Sequence, residues 1–238
     1  MPDLLVGTSG WSHDGWAKDF YPKQVSKSDY LSYYVQQFNS VEANAPFYGP
    51  PSQNTVNNWK RQASKGFQFS VKGHRRITHY NKLKEVKEPL YEYLSRIRQL
   101  EESLHTVFWQ FPPNFSRNVE RLEQFIDLLP EDQQFAFEFR HESWLDRSVY
   151  DLLKAYNYPI VWQSSGDFPD DCTHTADSIY VRFHGLTGYR YNYKKSDLEP
   201  WAEIIERHLA AEREAQVYFN NAGGNAAESA RMFRAMLS

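Results

Sequence analysis

The sequence predicts an α/β fold of the TIM type: a parallel, eight-stranded (β/α)8 barrel with an irregular sixth crossover. Three observations predict it. Short apolar segments with strand character recur eight times in 238 residues, almost all separated by helical periodicity, a pattern that implies parallel strands joined by crossovers. Eight such units in a chain of this length match the size of a closed barrel. Polar and charged residues gather at the strand C-termini and are scarce at the N-termini, and in such barrels the C-terminal ends form the floor of the active site. An open doubly wound sheet is the rival, but no GxGxxG fingerprint follows the first strand. No linker or repeat interrupts the pattern, so residues 1–238 are expected to form a single domain.

The first strand is Leu4–Gly7, followed by Thr-Ser-Gly-Trp11 and a long aromatic loop, Ser12 to Lys27. Ser28 is expected to cap a helix carrying Leu31, Tyr34, Val35 and Phe38 at helical spacing. Strand two, Ser40–Asn44, puts Glu42 and Asn44 on one face, and a helix follows from about Thr55 to Gln62. Strand three, Phe67–Lys72, runs into His74-Arg-Arg-Ile-Thr-His79, then a helix from about Glu88 to Leu100. Strand four, Thr106–Phe111, is stopped by Pro112-Pro113, and its helix covers about Val119 to Leu129. Strand five is strictly alternating: Phe135, Phe137 and Phe139 face one way, Ala136, Glu138 and Arg140 the other. Its helix runs from about Ser148 to Tyr156. Strand six, Ile160–Gln163, is followed by a segment, Asp167 to Asp177, without helical period. Strand seven is Ile179–His184; a helix is expected to start at Pro200 and reach about Glu214. Strand eight, Gln216–Asn220, leads through Asn-Ala-Gly-Gly-Asn225 into a final helix.

The net charge of −3 argues against a global polyanion-binding surface, and the aromatic content of 16% is high. One cysteine, Cys172, excludes an intrachain disulfide and favours a cytoplasmic setting. No leader and no apolar run of membrane-spanning length is visible, so no membrane association is expected. Cys172 sits beside Asp170 and Asp171, which gives no reason for a reactive thiolate.

The polar residues in phase at the strand ends are Glu42 and Asn44, Lys72, Gln110, Glu138 and Arg140, Gln163, Arg182 and His184, and Asn220. Among the formal charges, Glu42 and Glu138 face Lys72, Arg140 and Arg182, leaving one positive charge over and favouring an anionic ligand. A purely structural ion-pair network is the alternative, but burying five charges for stability alone is a poor solution. The turn after strand eight, with Asn220, Asn221, Gly223 and Gly224, stands where barrels often hold phosphate on backbone N–H groups. No HExxH or paired-cysteine spacing exists, so no cofactor or metal site is predicted, with a divalent metal left open. The basic run Lys72-Gly-His-Arg-Arg76, with exposed-type aromatics such as Trp11, Tyr48 and Tyr189, leaves nucleic acid open as a partner. Oligomeric state is not legible.

Gly7-Thr-Ser-Gly-Trp-Ser12, Phe20-Tyr-Pro22, Phe38-Asn-Ser-Val-Glu42, Phe69-Ser-Val-Lys72, Ile77-Thr-His79, Gln110-Phe-Pro-Pro113, Glu138-Phe-Arg-His141 with Ser143-Trp144, Tyr180-Val-Arg-Phe-His-Gly185 and Tyr218-Phe-Asn-Asn221 resemble the YecE-like family, domain of unknown function 72. The resemblance spans nearly the whole chain in order and implies a (β/α)8-type barrel without implying an activity. Ala45-Pro46 and Gln163-Ser164 depart from the family's pattern, the second where an acidic residue is frequent.

The expected function is an enzyme, a hydrolase, lyase or isomerase without redox cofactor, acting by acid/base chemistry on a small phosphate-bearing or nucleotide-like anion. Glu138 is expected as general acid or base, with Lys72 and Arg140 setting its pKa, and His184 as the second proton-transfer group. Arg140 and Arg182 are expected to clamp the anion, with Glu42, Asn44, His141 and Trp11 positioning the substrate. The alternative is a nucleic-acid-binding or metal-dependent nucleic-acid-processing protein of the apurinic-endonuclease type, by analogy of fold.

Overall fold

Alternation along strands that are buried on both faces organises the molecule. In β5 (Gln134–Glu138), Phe135 and Phe137 are buried on one side, Ala136 and Glu138 on the other. A surface strand would leave one of those faces in water. A computed structural model describes residues 4–13, 15–16 and 20–237. Residues 1–3, part of the loop after the first strand (14 and 17–19) and the last residue, 238, lie outside the described set.

The remaining strands are β1 (Leu4–Thr8), β2 (Ser40–Ala43), β3 (Gln68–Lys72), β4 (Leu104–Gln110), β6 (Val161–Ser165), β7 (Ile179–Gly185) and β8 (Ala215–Phe219). They form two four-stranded sheets, in the orders β1-β8-β7-β6 and β2-β3-β4-β5, with every paired strand parallel. This is an α/β fold with parallel sheets. The expected single eight-strand ladder is not continuous: the sheets meet at two seams, each with one isolated parallel bridge, Ser9 to Glu42 and Phe137 to Ile160.

Side chains explain the interruption at the first seam. The Asn39 amide takes the backbone bonds that β1 would otherwise exchange with β2, accepting from Val6 N–H at 3.1 Å and donating to the Leu4 carbonyl at 2.7 Å. The Tyr34 hydroxyl does the same one step further along, accepting from Thr8 N–H at 2.8 Å and reaching the Ser40 carbonyl at 3.3 Å. Only beyond it does backbone meet backbone, Gly10 N–H to the Glu42 carbonyl at 2.8 Å. At the second seam, Phe137 N–H bonds the Pro159 carbonyl at 3.0 Å and the Gln163 amide bonds the Phe139 carbonyl at 2.9 Å.

The inner faces of the two sheets are tied directly. The Tyr218 hydroxyl of β8 lies 2.6 Å from Ser40 Oγ and 2.8 Å from Ser70 Oγ, and the Phe108 and Tyr180 rings meet at 5.5 Å. Phe108, Ala136, Val161, Tyr180 and Tyr218 form a small inner apolar cluster. The alternate residues, among them Val6, Val41, Phe69, Trp109, Phe137 and Phe183, join a much larger outer core with the helices.

Helices follow the expected order with shifted ends. Gln53–Gln62, Val119–Ile126 and Arg147–Ala155 are capped by Ser52, Asn118 and Asp146, whose side chains accept from Thr55, Arg121 and Ser148 N–H. Ser28 does not cap: it lies within a 3-10 turn, Lys27–Asp29, and the helix behind it is only Tyr30–Tyr34, leaving Phe38 past its end. Lys87–Ile97 ends before Leu100, which belongs to a 3-10 stretch, Arg98–Ser103. The helix expected from Pro200 starts at Lys195, because Asp197 reaches back to accept Lys194 N–H at 2.8 Å; Pro200 lies inside it. Between β6 and β7 no helix forms, as expected, and the segment is pinned instead by Thr175 Oγ1 accepting Ile160 N–H at 2.7 Å and the Thr173 carbonyl accepting Trp162 Nε1–H at 3.0 Å. The last helix is Ala226–Met236. No helix among the described residues is long and apolar enough to cross a membrane.

Candidate functional site

Strand alternation delivers the site. Tyr180, Arg182 and His184 occupy the inner phase of β7, Glu138 that of β5 and Glu42 that of β2, and all converge where the strands end. Arg182, 1% exposed, lies at the centre. Its Nε donates to Glu42 Oε2 at 2.8 Å and its Nη2 to Glu42 Oε1 at 2.7 Å, a bidentate pair, while Nη1 donates to Glu138 Oε2. Its plane also stacks over the Phe108 ring at 4.6 Å. Glu42 accepts further bonds from Ser9 Oγ and from the Tyr180 hydroxyl at 2.9 Å.

Glu138 is just as enclosed. Oε2 also accepts from Gln110 Nε2 at 3.0 Å. Oε1 lies 2.5 Å from Arg140 Nη2, an ion pair off the hydrogen-bond line, and 3.3 Å from His184 Nε2. Burial alone would raise the Glu138 pKa, but the Arg140 and Arg182 guanidinium groups and His184 outweigh it and hold the carboxyl well below its usual range. Glu138 is thus a fixed anion.

His184 is neutral at ordinary pH. Burial and the adjacent Arg182 and Arg140 push its pKa down to about 4. Arg140 Nη2 lies 2.6 Å from His184 Nε2 and 3.2 Å from Nδ1; arginine only donates, and the shorter contact assigns Nε2 as the acceptor and the proton to Nδ1. Asn220 sits 2.9 Å from Nδ1, so its amide must present oxygen there; this orientation is assigned from the network.

Lys72, at the end of β3, differs from the other charges. Its Nζ donates to Gln110 Oε1 at 2.7 Å and lies 4.1 Å from the centre of the Phe47 ring. Gln110 thus stands between the amine and Glu138. Burial, then Arg182, lower the Lys72 pKa, Glu138 and Glu42 raise it, and the balance brings it down to about 7. The strand leaves Lys72 through Gly73, where a Cβ would sit 2.0 Å from the Trp109 ring, so only glycine fits.

A cleft of about 490 Å³ opens above these groups, with Trp11, Asn44, Phe47, Lys72, Tyr189 and Asn220 on its walls and Arg182 at its base. Among the described residues the lysine and arginine side chains lining it are Lys72 and Arg182, and no Asp or Glu lines it; Glu42 and Glu138 are fully buried. Asn44 Oδ1 is buried there with no hydrogen-bond partner among the described residues.

Of the residues expected from sequence, Glu42, Lys72, Glu138, Arg140, Arg182, His184 and Asn220 are brought together, and Asn44 and Trp11 join them on the cleft wall. His141 does not: its Nδ1 accepts Ser143 N–H at 3.2 Å, capping a 3-10 turn. Asn221, Gly223 and Gly224 do not line this cleft; Gly223 and Gly224 line a neighbouring cavity of about 1130 Å³ that shares His13 and Tyr189 with it. Asn221 Nδ2 donates to the Tyr191 carbonyl at 2.7 Å, and a Cβ on Gly223 or Gly224 would run into Tyr189 at 2.7 Å or the Tyr191 carbonyl at 2.5 Å. These glycines make room for the neighbouring loop. Ser9 and Tyr180 were missed; Tyr180 was in reach, two residues before Arg182 on the same inner phase. Among the described residues no group of three or more His, Cys, Asp or Glu is placed to share a metal ion. The Cys172 thiol is pushed up to about 11 by burial and by Asp170 and Asp171.

A family model described as a protein of unknown function, DUF72, matches residues 5–238. The UPF0759 protein YunF of Bacillus subtilis is 25% identical over 98% of this chain and 94% of its own length. The UPF0759 protein YecE of Escherichia coli K12 is 28% identical over 58% of this chain and 48% of its own. Among solved structures, a DUF72 family protein from Thermotoga maritima is 31% identical with a TM-score of 0.88, covering 98% of both chains. A xylose isomerase-like TIM barrel protein from Mycobacterium smegmatis in complex with magnesium shares the fold alone, at 11% identity, a TM-score of 0.51, and 90% and 91% coverage of this chain and that one.

Proposed function

The chain belongs to the DUF72 family, and from that premise and the geometry above we propose that it is a (β/α)8-barrel enzyme that binds a small anionic substrate at the strand C-termini and acts on it by acid/base chemistry through Lys72. One observation carries this: among the described residues, Lys72 and Arg182 line the cleft and no Asp or Glu does, while Glu42 and Glu138 are fully buried. Closure of the two sheets into one barrel is supported by the bridges at both seams and by the TIM-barrel-like neighbour.

The roles differ from those expected of the residues singly. Glu138 has its oxygens taken by Arg140, Arg182 and Gln110 and a strongly depressed pKa, so it suits the role of electrostatic anchor and not of proton carrier. Arg182 spends Nε, Nη1 and Nη2 on the glutamates and contributes field more than donors. His184 positions Arg140. Lys72 is the group whose pKa lies near neutrality and whose amine reaches the cleft, as proton transfer requires. Asn44 and Asn220 supply amide donors and acceptors to the bound anion.

The test is thermal stabilisation by inorganic phosphate and by a panel of small carboxylates and phosphate esters. Stabilisation by a member of the panel, lost in Lys72→Met, is the expected result; equal stabilisation of both proteins removes Lys72 from the site.

Nucleic acid is favoured as an alternative partner by one specific arrangement. Arg75 lies 5.4 Å from the ring centres of both Tyr48 and Tyr80, which are 67% and 66% exposed, and such a basic-aromatic rim suits stacking of unpaired bases. Salt-dependent retention on single-stranded DNA, lost in Arg75→Ala/Arg76→Ala, would support it; no retention at low salt would exclude it.

A further inference from the structure

We propose that Lys72 is a covalent nucleophile: it condenses with a small aldehyde or ketone that carries a carboxylate or phosphate, forming an imine. This rests on the reading of the cleft as an anion site and names the substrate class for it.

The surroundings of the amine favour this chemistry over proton transfer alone. Among the described residues Lys72 has no carboxylate as a direct partner; its hydrogen bond goes to the neutral oxygen of Gln110. A lysine held by a carboxylate stays an ammonium ion, whereas one held by an amide and faced by arginines loses its proton readily, which is what a nucleophilic amine needs. The lowered pKa agrees with this geometry.

Of the groups that could exchange protons with Lys72, the strand-end pair His184 and Glu138 is engaged, while His13, Tyr48 and Tyr189 line the cleft. His184 Nε2 accepts from Arg140 at 2.6 Å, and the Glu138 oxygens are held by Arg140, Arg182 and Gln110. Imine formation starts from the lone pair of the amine itself, and solvent in the open cleft can carry its proton transfers. The neutral Nζ attacks the carbonyl carbon, a C–N bond forms, and the C=O π pair moves to oxygen, which takes one amine proton. The resulting carbinolamine loses its hydroxyl with the second amine proton as water, leaving C=N. Protonation of that imine restores a cation at the position where the Phe47 ring face lies 4.1 Å away, a contact that suits positive charge.

The substrate's dimensions and charge follow from the walls. The cleft of about 490 Å³ between Trp11, Asn44, Tyr48 and Tyr189 has the size of a small-molecule site and admits glyoxylate as well as larger carbonyl compounds with an anionic group. Arg182 behind the amine gives the electrostatic preference for that anion, Asn220 can orient the carbonyl, and the unpartnered Asn44 Oδ1 can accept from the carbinolamine hydroxyl.

The experiment is reductive trapping on the full chain. Glyoxylate is added at pH 7 with borohydride, the protein is digested, and modified lysines are located by mass spectrometry, with uncharged glycolaldehyde as comparator. Trapping at Lys72 on the order of a thousandfold faster than at exposed lysines is expected, because far more of this amine is neutral at pH 7. Glyoxylate is expected to be trapped there faster than glycolaldehyde. Lys72→Arg, which keeps the charge and removes the nucleophile, is expected to bind glyoxylate without being trapped. Binding of glyoxylate or phosphate in the wild type without trapping at Lys72 would overturn the imine and leave the anion site standing. Neither binding nor trapping would overturn both, and trapping spread evenly over surface lysines would overturn the imine.

Discussion

Arg182 grips Glu42 through two parallel hydrogen bonds, 2.8 Å and 2.7 Å long, although the arginine belongs to one sheet and the glutamate to the other. The same guanidinium reaches Glu138 through its remaining nitrogen. One side chain thus pairs with two buried carboxylates, and Arg140 supplies the second positive charge at Glu138.

Arg182→Met is therefore expected to destabilise the protein by about 3–5 kcal/mol, the cost of leaving a buried charge unpaired. Adding Glu42→Gln to Arg182→Met should recover part of that loss. Urea unfolding of the single and double variants checks this; equal destabilisation of both would mean that the carboxylate is not the source of the cost.

The depressed pKa of Glu138 has a direct pH signature. Its folded-state pKa lies below the unfolded value, so its stabilising contribution is complete above about pH 4.3 and is lost as pH falls further. In Glu138→Gln that part of the acid dependence should be missing, measured by urea midpoints between pH 5 and the acid limit.

Lys72 has the opposite sense. Folding depresses its pKa from 10.5 to about 7, so the unfolded chain binds more protons between those values and stability contributed by this site rises with pH across that interval. Lys72→Met should be more stable than the wild type below pH 7, and the gap should narrow towards pH 10.5. A gap independent of pH would show that the amine titrates like any surface lysine.

His184 should stay neutral and in its Nδ1–H form from pH 5 upwards, given a pKa pushed down to about 4 and the bond from Arg140 to Nε2. Nitrogen-15 NMR of the ring distinguishes the tautomers, and a titration near pH 6.5 would contradict the network.

Gly73→Ala should cost several kcal/mol, or at least the roughly 1–3 kcal/mol of an overpacked core, because its Cβ would press on the buried Trp109 ring. It should also slow reductive imine trapping at Lys72, the residue before it. Unfolding and site-resolved labelling read the two effects.

How much of this was legible before the structure depends on sequence distance. Alternation within one strand placed Glu138 with Arg140 and Arg182 with His184 on common faces, since a period of two is local. Which carboxylate meets which guanidinium was not legible: Glu42 and Arg182 are 140 positions apart, and their meeting depends on how distant strands align. The roles shifted for the same reason. A strand-end glutamate reads alike whether its oxygens are free or bonded on all sides, and only its neighbours made Glu138 a fixed anion and Lys72 the titrating group. Gly223 and Gly224 resemble an anion cradle in sequence, yet they admit the 189–192 loop, while Gly73, which no motif marked, is needed against Trp109. The start of the helix at Lys195 was missed because Asp197 outweighed the proline signal.

The seam between β1 and β2 has a last consequence, for cooperativity. Asn39 and Tyr34 hold that edge with side chains, and Ser9, Tyr180 and Arg182 cross between the sheets to hold Glu42. A fragment with β2 to β5 would keep Glu42 without its cation, and a fragment with the other strands would keep Arg182 without either glutamate. The site is therefore absent from each half and comes into being only when the halves join. Slow hydrogen exchange at the Gly10 amide, matching that of the strand interiors, would mark this edge as a latch that opens only when the whole molecule does.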